Sequence, residues 1–379
     1  MTDKVPAERF PPGYFIKEEM EARGWTQGDL AEITGIDRAG LNLVINGKRQ
    51  ITPETAAAIG EAFGTGAKLW LNLESSYRLW KQRPDVSDVA RRARLWEMAP
   101  MKEMLRRGWI ERSENVEVLE KRVCEFFEIN SLNQMPKFYQ AARKSTDYSA
   151  LTPAQCAWLF RARRLSRAIQ VVTFSDTRLK DVLSQILVLR SHVEDVRQVP
   201  VVLARAGIRL VVLEQLAGTK IDGACFWLSK SEPVIALSLR YDRIDFFWHT
   251  LVHELRHVMN RDGLRQRQAV DIRLVGADAR PPTEKPQHER EIDEFASNAL
   301  VERAALEDFI SRTRPLYSKL KIMKFAALHG VHAGIVVGQL QFRNEIHYSH
   351  SREMLVPVKE ALTSSALTEG WGQIVAEAV

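Results

Sequence analysis

The stretch HTLVHELRHVMN, residues 249–260, sets three histidines at intervals of four with a glutamate directly after the second. Residues four apart share one face of an α-helix, so His253 and His257 can each turn a ring nitrogen toward one ion, at about 2.0–2.1 Å for zinc. Glu254 lies one position round and can reach water rather than the ion. His249 sits a turn earlier, displaced about 6 Å along the axis, too far to join the same tetrahedron, and reads as a packing or hydrogen-bonding neighbour. With nine histidines in the chain, an accidental H-E-x-x-H is roughly a one or two per cent event, so the surrounding sequence has to decide.

Upstream lie the β-rich runs IRLVVL (208–213), GACFWLS (223–229) and PVIALSL (233–239), and then a helix of about 18 residues from Asp242 or Arg243 through Met259. Strands ahead of such a helix form a cleft in which an edge strand can pair with a peptide backbone. A catalytic zinc needs a third protein ligand and an open position. After the polar stretch GADARPPTEKPQ, the run HEREIDEFASNALVERAALEDF reads as a second amphipathic helix through Ile292, Phe295, Ala296, Ala299 and Leu300. Glu289 and Asp293 stand four apart there. That spacing lets Glu289 bind the ion while Asp293 accepts the outer N–H of a ligand histidine; Glu291 is the alternative ligand. A charged helix start, favoured by the helix dipole, accounts for the same letters without any metal.

FFWHTLVHELRHVMN followed by EREIDEFASNALV resembles the ImmA/IrrE metallopeptidase family: an H-E-x-x-H helix, then a glutamate with Asp or Asn four residues on and a Phe-Ala pair. The resemblance implies a zincin-like α+β domain with a small sheet. It implies one catalytic Zn2+, or another divalent metal, on His253, His257 and Glu289, with Asp293 behind a histidine and Glu254 as general base. Arg256 departs from the family, which commonly has glycine there. Residues 312–350 also resemble the tail found when this peptidase follows a HigA-like domain, and His329, His332, His347 and His350 within it read as surface or packing residues.

At the other end, Thr26 stands three residues before Asp29 and opens a short helix, QGDLAEIT, which Gly35 ends; RAGLNLVI and TPETAAAIGEAF follow, the latter with Thr52 as cap and Pro53 in its first turn. Short helix, glycine turn, short helix is the geometry of a helix-turn-helix, although a generic helical bundle uses the same caps. Gln27, LAEITGI, NGKRQITPETA, AFGTGAKLWLNLE and YRLW resemble XRE-type helix-turn-helix proteins of the HigA antitoxin kind over about residues 11–80. The resemblance implies that Asp37, Arg38, Ala39, Asn42 and Leu43 face a double-stranded DNA operator and that Gln27, Lys48 and Arg49 meet phosphates. Arg38 suits guanine and Asn42 adenine, and such domains bind as homodimers on half-sites about one helical turn apart.

Between these ends, residues 81–200 carry helical runs punctuated by Pro84, Pro136 and Pro153, with Trp96, Trp109 and Trp158 expected in a core and no catalytic constellation. The chain of 379 residues carries a net charge of +6, clustered in ARRAR (90–94), LRRGW (105–109) and FRARRLSR (160–167), each a solvated helix face or a nucleic-acid contact. Three scattered cysteines build no disulfide framework, no apolar run approaches the roughly 20 residues of a membrane span, and MTDKVPAERFPPGY lacks a signal-peptide core, so the expected place is the cytoplasm.

The expected fold class is an α+β multidomain chain: residues 1–80 an all-α helix-turn-helix domain, 81–200 a helical linker or oligomerisation region, 201–310 the metallopeptidase domain, and 311–379 a helical tail packed on it. The family resemblances imply a DNA-binding regulator whose zinc endopeptidase cleaves an XRE-type repressor, an antitoxin or itself under stress. They add a toxin and a single-stranded DNA activator as further partners. The alternative is a HigA-like antitoxin and autorepressor whose metal domain binds or senses without turnover. A purely structural zinc, with His249 as fourth ligand, is the third reading.

Overall fold

The computed structural model describes residues 10–82, 87–134, 136, 138, 151–264 and 269–371. Pro84, the start of MTDKVPAERFPPGY and the last residues of the expected tail lie outside the described residues. The chain divides into two compact units, Met1–Ala90 and Arg91–Val379.

The first unit is a bundle of α1 (Pro12–Arg23), α2 (Gln27–Thr34), α3 (Arg38–Ile45), α4 (Pro53–Phe63) and α5 (Ala67–Gln82). Its helix starts are written locally. The Thr26 hydroxyl accepts from the Asp29 N–H while the Asp29 carboxylate accepts from the Thr26 N–H at 2.7 Å, closing both ends of a capping box. Thr52 caps α4 by accepting from the Thr55 N–H. Ile16, Leu30, Leu41, Ile59 and Trp70 fill the core. A Cβ at Gly13 would lie 1.9 Å from the Ile45 carbonyl oxygen, so only glycine lets α1 approach α3 this closely.

The second unit is a mixed sheet covered on both faces. Five strands, β1 (Arg209–Leu213), β2 (Ile221–Trp227), β3 (Pro233–Leu237), β4 (Ala269–Ile272) and β5 (Leu367–Glu369), lie in the order β4-β2-β3-β1-β5. β1 runs parallel to β3 and β5, and β2 antiparallel to β3 and β4. Side chains alternate across the sheet, and here both sides are apolar, which is why these strands read as nearly continuous hydrophobic runs. Val211, Leu213, Ala224 and Phe226 face a layer with α6 (Ser87–Met98), α7 (Met101–Arg106), α8 (Val116–Phe126) and α9 (Pro153–Ser166); Leu210, Val212, Cys225 and Ile235 face the rest. That opposite layer holds α10 (Asp176–Val188), α11 (Val199–Ala206), α12 (Ile244–Asn260), α13 (Gln287–Leu300), α14 (Arg303–Thr313), α15 (Lys319–Leu328) and α16 (Ala333–Phe342), with α17 (Lys359–Thr363) following.

The expected four-part division differs from these units. From Arg91 onward the described middle region belongs to the larger unit: α6 to α9 cover one side of the sheet and α10 joins the other, because their side chains complete its two cores. Trp158 is buried and its indole N–H donates to the Leu213 carbonyl at 3.1 Å, and Arg161 forms a buried ion pair with Glu369 of β5 at 2.6 Å. Trp96, expected in a core, is 49% exposed. The tail beyond residue 311 is not wholly helical: it supplies β5, a three-residue strand too short for periodicity to reveal. The run 288–309 breaks at Val301 and Glu302 into α13 and α14. No single described helix is long and apolar enough to cross a membrane.

Candidate metal centre

α12 is buried along most of its length. Phe247, Trp248, Leu251, Val252, Leu255 and Val258 sink it into the larger core and carry Thr250, His253, Glu254 and His257 inside with them, while His249, Arg256 and Asn260 stay partly exposed. His253 and Glu254 have no exposed surface and His257 is 1% exposed. Such groups are costly to bury unless they meet partners or an ion.

The partners come from three elements. Asp293, one turn along α13 from Glu289, places Oδ1 3.0 Å from His253 Nδ1, and Asp262, just past the end of α12, places Oδ2 2.9 Å from His257 Nδ1. Asp262 hydrogen-bonds His257 Nδ1, and the Asp293 carboxylate approaches His253 Nδ1 without hydrogen-bond alignment; negative charge at each Nδ1 favours the proton there, which leaves both Nε2 atoms as lone pairs. Those two nitrogens lie 3.1 Å apart. Asp271 Oδ1, from β4, is 3.2 Å from His253 Nε2, and Oδ2 is 3.5 Å from His257 Nε2; Glu289 Oε2 is 3.4 Å from the first and 3.5 Å from the second. Four ligands held 2.0–2.1 Å from a tetrahedral ion stand about 3.3–3.4 Å from one another, so these separations fit a small divalent cation.

Electrostatics support the same reading. Burial alone would lower the basicity of the His253 ring, yet the Asp271 carboxylate, with Asp293 and Glu289, holds it well above the ordinary histidine value. His257 behaves alike, burial being overridden by Asp262, Asp271 and Glu289. Burial, and then the neighbouring Asp271 carboxylate, push Glu254 well above the usual range. Glu254 Oε1 and Oε2, Asp271 Oδ2 and Glu289 Oε2 are buried without a hydrogen-bond partner. An excess of carboxylates converging on two imidazoles calls for positive charge.

Gly223 of β2 makes room for Glu254. A Cβ there would lie 2.2 Å from Glu254 Oε1 and 2.8 Å from Thr250 Cγ2. Glu254 therefore lies directly under the strand, beside the cluster.

The structure brings His253, His257, Glu254, Glu289 and Asp293 together. Glu291 does not: it is exposed and accepts from Gln287 Nε2 at 2.9 Å. His249 stands aside, its Nε2 3.5 Å from Asp293 Oδ1. Arg256 leaves the site, its guanidinium 4.6 Å over the Phe295 ring. The four later histidines join none of the candidate metal groups among the described residues; His332 caps α16 through the Gly334 N–H. Sequence reading missed Asp271, Asp262 and His288, whose Nε2 is 2.8 Å from Asp262 Oδ2. Asp262 had a signal, five residues beyond His257 at the helix end, whereas Asp271 is set only by strand register. A cleft of about 260 Å³ opens beside the cluster, lined by Phe246, His249, Asp293, Gln339 and Phe342.

In the smaller unit, Arg38, Ala39, Asn42, Leu43, Lys48 and Arg49 are exposed on α3 and the turn after it, and Gln27 is half-buried at the start of α2. Asp37 is exposed but caps α3, its Oδ1 accepting from the Gly40 N–H at 2.7 Å. The Asn42 side-chain oxygen accepts from Asn46 Nδ2 at 2.6 Å, which orients its amide.

Comparison with known proteins agrees with the two-part reading. A helix-turn-helix family model matches residues 16–70, and the peptidase-family model described as IrrE N-terminal-like domain matches residues 204–340. The HTH-type transcriptional regulator YbaQ of Escherichia coli is 30% identical over 71 residues, 19% of this chain, and the chain spans 63% of that regulator's length. Virulence-associated protein A' of Dichelobacter nodosus is 31% identical over 81 residues, 21% of this chain and 70% of that protein. A solved addiction module antidote protein of the HigA family from Coxiella burnetii is 28% identical over 21% of this chain and 94% of its own, with a TM-score of 0.20. Over residues 16–70 the chain is therefore similar to the helix-turn-helix family, and over residues 204–340 it is similar to the IrrE N-terminal-like domain family.

Proposed function

We propose that this protein is a cytoplasmic DNA-binding regulator, acting as a homodimer, that carries a zinc-dependent endopeptidase. The observation that supports the catalytic reading is the unpartnered Glu254 carboxylate, buried beside two histidine Nε2 lone pairs, Glu289 and Asp271. A purely structural metal has no use for it.

His253, His257 and Glu289 would hold the ion, with Asp293 and Asp262 fixing the histidine tautomers from behind. When bound, zinc supplies Lewis acidity, polarising a peptide carbonyl and acidifying water. Glu254 takes the proton of the attacking water at its carboxylate and delivers it to the leaving amine. The cleft lined by Phe246, His249 and Phe342 receives a substrate side chain. Fusion to a helix-turn-helix unit makes an XRE-type repressor, an antitoxin or the chain's own DNA-binding segment the expected substrate, cleaved in response to a stress signal such as single-stranded DNA, with a toxin as further partner.

The second reading is an antitoxin-like autorepressor whose metal domain does not turn over; Asp271, crowding the same ion position, favours it. The deciding experiment incubates zinc-loaded full-length protein with candidate repressors, with and without Glu254→Gln, in the wild-type and Asp271→Ala backgrounds. Cleavage falling about 10²–10⁴-fold in Glu254→Gln with metal retained is expected. Identical substrate patterns with and without Glu254 in both backgrounds overturn the peptidase reading in favour of the second.

A further inference from the structure

A peptidase metal must leave one position for the reacting groups. In this chain a fourth side chain reaches the same two nitrogens. Asp271 Oδ1 lies 3.2 Å from His253 Nε2 and its Oδ2 3.5 Å from His257 Nε2, close to the 3.4 and 3.5 Å that Glu289 Oε2 keeps from the same two atoms, and Asp271 is only 7% exposed. The donors His253, His257, Asp271 and Glu289 are all buried, and none of them lines the neighbouring cleft.

The strand that delivers Asp271 occupies a position of equal consequence. β4 is an edge strand paired antiparallel with β2, with Asp271 opposite Gly223, Val270 opposite Ala224 and Ala269 opposite Cys225. Gly223 is the residue that gives Glu254 its space. An extended peptide reaching Glu254 by strand addition would pair with this edge of β2, and β4 already does. The ladder slips between Ile221 and Gly223, where the intervening Asp222 turns its carboxylate to the Leu274 N–H at 2.6 Å and to Arg240 at 2.7 Å. The Arg273 N–H adds a bond of 2.9 Å to the Lys220 carbonyl. The C-terminal end of β4 is thereby anchored, and the metal-facing part depends on a four-residue ladder.

We propose that Asp271 is a fourth, displaceable metal ligand, and that β4 is a built-in pseudosubstrate strand which keeps the peptidase latent. The inference rests on reading the cluster as a metal centre. Activation then requires β4 to leave β2, freeing in one movement the ion's fourth position and the strand edge for a peptide.

Cobalt substitution of the full-length protein tests this without relying on activity, because the visible spectrum of Co2+ reports its coordination. Acetohydroxamate, a small chelating probe, is expected to leave the wild-type spectrum unchanged and to shift that of Asp271→Ala. A chelator titration is expected to show metal affinity in Asp271→Ala lower by at least about ten-fold. Asp271→Asn, of nearly the same size, serves as the second variant and is expected to respond in the same direction. Wild-type cobalt protein that takes up hydroxamate as readily as Asp271→Ala, or an affinity and spectrum unchanged in both variants, overturns the fourth-ligand inference while leaving the metal centre in place. Wild-type protein that binds no more cobalt than His257→Ala overturns the metal reading itself, and this inference with it.

Discussion

In the smaller unit, Arg38, Ala39, Asn42, Lys48 and Arg49 stand exposed on one helix and its following turn; in the larger, His253, Glu254, His257 and Asp271 are buried and come from a helix and an edge strand. The first arrangement needs only a scaffold that holds a helix at the surface. The second needs several elements to meet within a few tenths of an ångström. Damage to the first should therefore weaken binding by degrees, whereas damage to the second should abolish the site.

The largest expected effect is that of His257→Ala. It removes one of two Nε2 donors and takes one of two imidazole neighbours from each of Asp262 and Asp271, so bound metal is lost, as elemental analysis of the purified protein would show. Affinity for a DNA duplex selected from a random pool should stay unchanged, and a parallel fall in DNA binding would break the contrast between the units. Next in size, Arg161→Ala strips a buried partner from Glu369 and should cost about 3–5 kcal/mol in denaturant unfolding of the larger unit. A loss near zero would mean that the middle region is not part of that core.

Arg38→Ala should weaken binding to the selected duplex by about 1–3 kcal/mol and relax preference at one base, while metal content stays at the wild-type level. A uniform loss over all sequences would instead make Arg38 a phosphate contact. The smallest effect belongs to Thr26→Ala, which breaks the capping box of α2 and should lower the stability of the helix-turn-helix unit by about 0.5–2 kcal/mol, read by thermal unfolding.

The two units also differed in how far they could be read in advance. The starts of α2, α3 and α4 fall where Thr26, Asp37 and Thr52 place them, because a cap acts over three residues and is written where it acts. Asp37 shows the limit of that reading: a position inferred to face DNA also serves as the cap, and sequence spacing alone does not rank the two roles. His253, Glu254 and His257 were legible through helical periodicity, and Glu289 and Asp293 through the same four-residue spacing on a second helix. Trp96 was misplaced because one aromatic in an amphipathic run does not say which side the core occupies.

By itself the sequence determined the local chemistry: the caps, the apolar strands, the histidine pair and the carboxylate pair, each carried by residues within one turn or one strand. Tertiary structure alone decided what those pieces meet. Asp271 joins the histidines through the register of β4 on β2, Glu254 fits because Gly223 lies above it, and α9 becomes core because Trp158 and Arg161 reach β1 and β5. Register and layer packing are set by the burial of whole faces across distant segments, a sum over the fold that no short stretch contains.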